Sequence, residues 1–424
     1  MKSLKNTCTR LTSEYLTETK LSASFFLDRI VPAALYFLPV IIIASTGSST
    51  QISTYAVFSS LFTSFIAIPL GFTSAVRYYS SLKENDRSYM PGSPLTLITI
   101  ISLFSILLYS LYYYVSFYSN GYNHADLLII FALCILFTAP YYALTSYNEG
   151  RKNVRLNNIC GIISIPIFSM MVYTLNMKTD LVTACAYAFL ITRIIMLVTL
   201  ITGYPHKSQL LQSDNRAVYD TAKYGLSIAS LFFIQKLVST LLISLLSSNA
   251  DQVSAFQLIT VASMLLSLSS NAVFTNVFIK IVKKSDEIIP TFTISLFNIV
   301  LILLVTYPFA YSVATGELSN IIKDAPVLSI VQTHITLILF YFTFDVFMTA
   351  SFIISRAFGD TWKCQSAWCV GVITGLTFTG FRPDVADAIK IFIYADVLSL
   401  FMCIYTISRN FSFFVGLPEN KQNG

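Results

Sequence analysis

A chain of 424 residues that is 55% hydrophobic and only 11% charged is not a soluble protein, because soluble domains average about 25% charged residues. Mean hydropathy is +0.69, and abundant Leu, Ile, Val and Phe with short polar tracts also exclude a disordered chain. The formal net charge of +6 acquires meaning only when the charges are sorted by loop.

The first apolar run, 30–46, follows a polar tail of some 24 residues, so no signal peptide is expected. Within that tail Leu11, Leu16 and Leu21 give a weak pattern for lying along a membrane surface. Further runs occur at 53–76, 94–118, 127–147, 159–176 and 181–203. The second half repeats the plan at 225–248, 253–279, 288–312, 328–355, 364–381 and 390–408. These are continuous apolar stretches, not ten-residue alternations, which predicts helices and not a strand barrel. The expected fold is an all-α polytopic membrane protein with twelve transmembrane helices, arranged as two six-helix bundles around a central cavity.

Of the 27 Lys and Arg residues, 21 fall in the two tails and the even-numbered turnarounds. Only Lys178, Lys323, Arg382 and Lys390 fall on the other side. Basic loops mark the cytoplasmic face, so both termini are expected there. Topology therefore accounts for the basic loops, and no nucleic-acid partner is expected. The seven cysteines show neither metal-ligand spacing nor a disulfide framework.

Gln51-Ile-Ser-Thr-Tyr55 recurs as Gln252-Val-Ser-Ala-Phe256, an offset of 201 residues. Lys83-Glu-Asn-Asp86 aligns with Lys284-Ser-Asp-Glu287 at the same offset, and Gly150 and Cys160 match Gly359 and Cys369 at 209. Six helices per half place two lobes, 1–210 and 211–424, in the same orientation about an axis along the membrane normal. Such lobes enclose a cavity that opens alternately to each side. No phosphate-cradling loop, H-E-x-x-H motif or nucleophile elbow is present, so the chain is not read as an enzyme and no cofactor is expected.

Charge at bilayer depth costs about 2.5–3.5 kcal/mol or more per group, so buried ions need partners, water or a function. The candidates are Arg193, Lys236, His334, Asp345 and Asp396. Lys236 and Asp345 both fall ~17 Å from the basic side at 1.5 Å per residue, and His334 precedes Asp345 by three turns on the same face. Two readings are open. The pair locks two helices, or Asp345 is a proton- or cation-responsive group with Lys236 as its switchable partner. Arg193 has no acidic partner in the first-half helices. It either snorkels or bonds backbone carbonyls, or it is a cavity cation for an anionic substrate. Asp396 reads as a contact to a neighbouring helix.

Three stretches carry a family resemblance: Asn148-Glu-Gly-Arg-Lys152, Leu231-Phe-Phe-Ile-Gln235 with Ala255-Phe-Gln257, and Asp345 through Ser355-Arg356 to Gly359-Asp360. In this order they resemble the multidrug and toxic-compound extrusion (MATE) family, in a superfamily that also holds lipid-linked oligosaccharide flippases. The resemblance implies that Asp345 is a cation-site carboxylate and that Gln235 replaces the glutamate beside it. The family's first-helix aspartate falls near Val40, and no acid occurs between Pro32 and Thr46. On this reading the Lys236 ammonium occupies the coupling cation's place, leaving Asp345 to titrate. The implied function is an alternating-access secondary transporter, driven by a proton or sodium gradient. It would export a small organic compound as a monomer in a bacterial inner membrane, with membrane lipids and the substrate as its partners. The alternative is a flippase for a lipid-linked anionic oligosaccharide such as an O-antigen precursor.

Overall fold

The computed structural model describes residues 34–46, 48–82, 91–117, 124–204, 207–212, 214–283, 288–315, 322–359, 361–380 and 383–410, with residues 20, 24 and 27. The leucine pattern of the N-terminal tail, Cys8, His206, Arg382 and the Lys83 and Lys284 segments of the repeat lie outside the described residues. The first half comprises α1 (Ala34–Thr46), α2 (Ser49–Leu82), α3 (Gly92–Ser116), α4 (Ala125–Gly150), α5 (Arg155–Asn176) and α6 (Leu181–Thr202). A short α7 (Lys207–Leu211) links it to α8 (Asn215–Leu246), α9 (Ala250–Val282) and α10 (Ile288–Ala314). Then come α11 (Ala325–Thr333), α12 (Ile335–Ala357), α13 (Thr361–Thr379) and α14 (Val385–Arg409). Ten of these are long and apolar enough to cross a membrane. With α1 and α13, and with α11 and α12 counted as one interrupted span, they form the twelve-span, all-helical plan.

The helix starts follow local chemistry. Asp180, Asn249, Asp324 and Asp384 accept backbone N–H groups from the first turns of α6, α9, α11 and α14. Asp214 does the same at α8, and each cap satisfies a donor that the helix itself leaves unpaired. α2 begins at Ser49 and α9 at Ala250, the same 201-residue offset as the sequence repeat. The fourth spans of the two halves differ. α4 runs unbroken through Pro140, whereas its counterpart is interrupted at His334 (φ −110°, ψ 13°) between α11 and α12.

Arg151 and Lys152 between α4 and α5, Arg155 at the start of α5 and Lys207 after α6 mark a basic end of the bundle. Helix α2 is the most buried span, while α3 and α10 are among the least and turn large apolar side chains such as Leu107 and Val305 outward, as lipid-facing helices do. Helix α8 lies antiparallel along α2. Gly71 meets the backbone of Ala229, and Gly225 meets Phe72, so a Cβ at either glycine would collide. Small residues permit this close approach, as at other membrane helix interfaces. The Ser64 and Thr240 hydroxyls bond at 2.7 Å along the same seam.

Away from the basic end, the halves meet through polar contacts. The Ser49 N–H donates to Asp324 at 3.1 Å, Ser254 Oγ donates to the Ser49 carbonyl at 2.9 Å, and Gln257 Nε2 donates to Ser59 Oγ at 3.2 Å. Toward the basic end, Arg356 Nη1 donates to Ser74 Oγ at 3.3 Å and Tyr78 stacks on Tyr224 at 4.7 Å.

Candidate functional site

Between these two sets of contacts lies a cavity of about 250 Å³. Its walls come from α1, α2, α4, α8, α9, α12, α13 and α14, so both halves build it. Along α2 it extends from Thr63 to Arg77, a rise of ~21 Å. Four of its polar lining groups sit at mid-helix: Gln235 and Lys236 on α8, Asp345 on α12 and Asp396 on α14.

The four differ in how their polar atoms are held. Asp345 is half-buried, and its Oδ2 accepts from the hydroxyls of Ser263 and Ser267, one turn apart on α9. Asp396 is 2% exposed; its Oδ1 accepts from Trp368 Nε1 at 3.1 Å, while its buried Oδ2 has no hydrogen-bond partner. Around it Tyr341 and Phe392 stack at 5.6 Å, with Trp368 6.4 Å from Phe392. Lys236 shares the wall with both carboxylates but forms no ion pair with either among the described residues. The lining thus brings together two carboxylates and one ammonium in a largely apolar enclosure, where unbalanced charge is costly.

The sequence reading places Lys236 and Asp345 at one level, and the structure brings them to one cavity with Gln235. It corrects the start of the helix that carries Gln235 and Lys236, because α8 begins about ten residues before the predicted 225. His334 does not share this site. The helix break falls on it, which ends the regular periodicity that would align it with Asp345, and it does not line the cavity.

Arg193 is also corrected. It is fully buried and absent from the cavity lining. Its guanidinium carbon lies 5.0 Å from the Tyr36 ring centroid, 4.9 Å from Phe189 and 5.7 Å from Tyr142. Aromatic faces stabilise a desolvated guanidinium by electrostatic attraction to the ring quadrupole, so snorkelling is not its solution. Tyr36 and Tyr142 do line the cavity, which sets Arg193 one layer behind the wall.

Several lining residues escape sequence reasoning. Arg77 reads as a loop charge but sits in α2, 4% exposed, with Nε 2.6 Å from Glu149 of α4. Arg356 likewise is buried, over the rings of Phe352 at 5.1 Å and Phe232 at 5.2 Å. Asp396 is a cavity group and not a mere helix contact. Its signal in the sequence was the indole of Trp368 on the preceding helix, a donor that needs a buried acceptor. No cluster of potential metal ligands is found among the described residues, and no disulfide joins the described cysteines.

This architecture superposes on solved membrane transporters. It matches a eukaryotic MATE transporter, AtDTX14, with a TM-score of 0.71 at 12% identity, over 93% of this chain and 96% of that one. The chain has the MATE fold. An outward-facing multidrug resistance MATE family transporter gives 0.69 at 13% identity over 93% and 96% of the two chains. A Vibrio cholerae MATE transporter, VcmN in its bent form, gives 0.62 at 13% identity over 94% and 100%. No protein-family model and no curated protein matches the sequence. The MATE fold is therefore retained here by helix order and packing, while little of the sequence is shared.

Proposed function

We propose that this protein is an alternating-access secondary transporter that exports a small organic compound, without covalent chemistry, using a proton or sodium gradient. The observation that carries the reading is the mid-bundle cavity between the two halves, lined by Asp345, Asp396 and Lys236 within the MATE fold. Solved MATE-fold structures include outward-facing and inward-facing forms, and this chain has polar contacts between its halves on both sides of the cavity. Those contacts are the bonds that each half-cycle would break in turn. The orientation with both termini cytoplasmic rests on the basic-loop bias, and placement as a monomer in a bacterial inner membrane belongs to the same proposal.

Asp345 is assigned as the responsive carboxylate, because serines on α9 hold it at the cavity wall. Lys236 serves as a tethered counter-cation for whichever carboxylate is ionised. The flippase alternative loses its main support. Arg193, read from the sequence as a cavity cation for an anionic substrate, is sealed among aromatic rings, and Arg77 is engaged by Glu149.

Export by membrane vesicles under imposed proton and sodium gradients tests this reading. Gradient-driven export that Asp345→Asn abolishes, at unchanged protein level, is expected. Normal export in that variant contradicts the assignment, and accumulation of lipid-linked saccharide in a deletion strain restores the flippase.

A further inference from the structure

Asp396 lies midway along α14, buried on the wall of the central cavity. The fold treats its two oxygens differently. Oδ1 accepts from the Trp368 indole at 3.1 Å, and Oδ2, also buried, has no hydrogen-bond partner. The surroundings are the rings of Trp368, Tyr341 and Phe392. A buried hydroxyl without a partner is tolerated far more readily than a buried charge without one. A hard cation such as sodium takes several oxygen ligands, and beside this carboxyl the fold offers indole, phenol and phenyl rings instead.

Charge counting points the same way. At mid-helix the wall carries Asp345, Asp396 and the Lys236 ammonium, so one negative charge is in excess if both acids are ionised. Asp345 is the one built as an acceptor. Its Oδ2 receives the hydroxyls of Ser263 and Ser267, and an oxygen that takes two donors carries no hydrogen of its own. Asp345 therefore supplies the charge that balances Lys236, and Asp396 is left over. The titratable groups acting on Asp396 are Asp345 and Tyr341 on α12 and Lys236 on α8. Among the described residues α13 faces it with the Trp368 indole, and no charged group of α9 or α13 acts on it.

We propose that Asp396 is the proton site of this cavity, a neutral acid with its hydrogen on Oδ2 and its Oδ1 carbonyl held by Trp368, beside an ionised Asp345 balanced by Lys236. This names the proton, and not sodium, as the ion the cavity exchanges, and to that extent it rests on the transporter reading. Release breaks only the O–H bond: the electron pair stays on Oδ2 and the proton passes to water in the cavity. Two carboxylates then compete for one ammonium, so Lys236 is drawn toward Asp396 and Asp345 is freed to respond.

Infrared spectra of the full chain in lipid nanodiscs at neutral pH read this state directly, because the C=O stretch of a carboxylic acid is separate from the carboxylate bands. Wild type is expected to show a buried-acid band and Asp396→Asn to lose it. Trp368→Phe should shift the band to higher frequency, since the carbonyl loses its only donor. Exchanging choline chloride for sodium chloride should leave it unchanged. If Asp396→Asn does not fold, the shift in Trp368→Phe carries the assignment. The proposal is overturned by the absence of an acid band in wild type, by a band that survives Asp396→Asn, by one unmoved in Trp368→Phe, or by one that sodium removes. The readout involves no transport, so its failure leaves the exporter reading standing. That reading fails separately, by the absence of gradient-driven export in vesicles.

Discussion

Arg193 in the first half and Lys236 in the second, both cations at mid-helix, show opposite solutions to the same cost. Arg193 in α6 is enclosed by Tyr36, Tyr142 and Phe189 and does not line the cavity. Lys236 in α8 lines the cavity beside two carboxylates and is ion-paired to neither. The first arrangement is over-determined and static, because a planar guanidinium among rings has one good geometry. The second leaves a flexible ammonium with a choice of partners, which is what a group that changes state during transport requires. On the proposed function, access to the shared cavity, and not depth in the membrane, marks the functional ion.

This contrast can be broken experimentally. The largest effect is expected for Asp345→Asn, which should reduce export to background in vesicles while membrane levels remain normal; sustained export would remove the distinction between the halves. Arg193→Ala should act through stability instead. It empties a fully buried site and discards desolvated cation–π contacts, a loss of roughly 3 kcal/mol or more, visible as depleted membrane protein or a lowered melting temperature. Glu149→Gln should destabilise to a similar or lesser degree, because it leaves the buried Arg77 guanidinium facing a neutral amide.

Smaller effects should sharpen the second half. Lys236→Gln is expected to retain a folded protein but shift the pH or sodium dependence of export, and simple loss of stability would make Lys236 a structural lock. Trp368→Phe removes the indole donor to Asp396. A buried acceptor that loses its partner costs about 1–3 kcal/mol, so this variant should lower the melting temperature, with export per folded molecule reduced less than in Asp345→Asn.

The sequence read the spans well because apolar runs of membrane length have few alternative structures. The 201-residue echo between Gln51 and Gln252 anticipated the equivalent starts of α2 and α9. The differences fall where a charge interrupts the apolar pattern. The apolar run of the second span ends at 76, but α2 continues to Leu82 because Glu149 neutralises Arg77 inside the fold. The seventh began too late, since Asp220 and Lys223 lower the hydropathy of a segment that is nonetheless helical. The break at His334 had no proline or glycine to announce it. Within the site, Lys236, Gln235 and Asp345 were legible as ions or amides at matching depth. The aromatic enclosure of Arg193 was not, because ring placement depends on three helices whose packing no local pattern encodes.

Paired export measurements on Asp345→Asn and Arg193→Lys, normalised to folded protein in the membrane, address the central claim most directly. The account predicts that the aspartate variant loses gradient-driven export per molecule. The arginine variant, however depleted, should export at the wild-type rate per folded molecule with unchanged pH and sodium dependence. The reverse outcome, normal turnover without the Asp345 charge and altered coupling on changing Arg193, would contradict it.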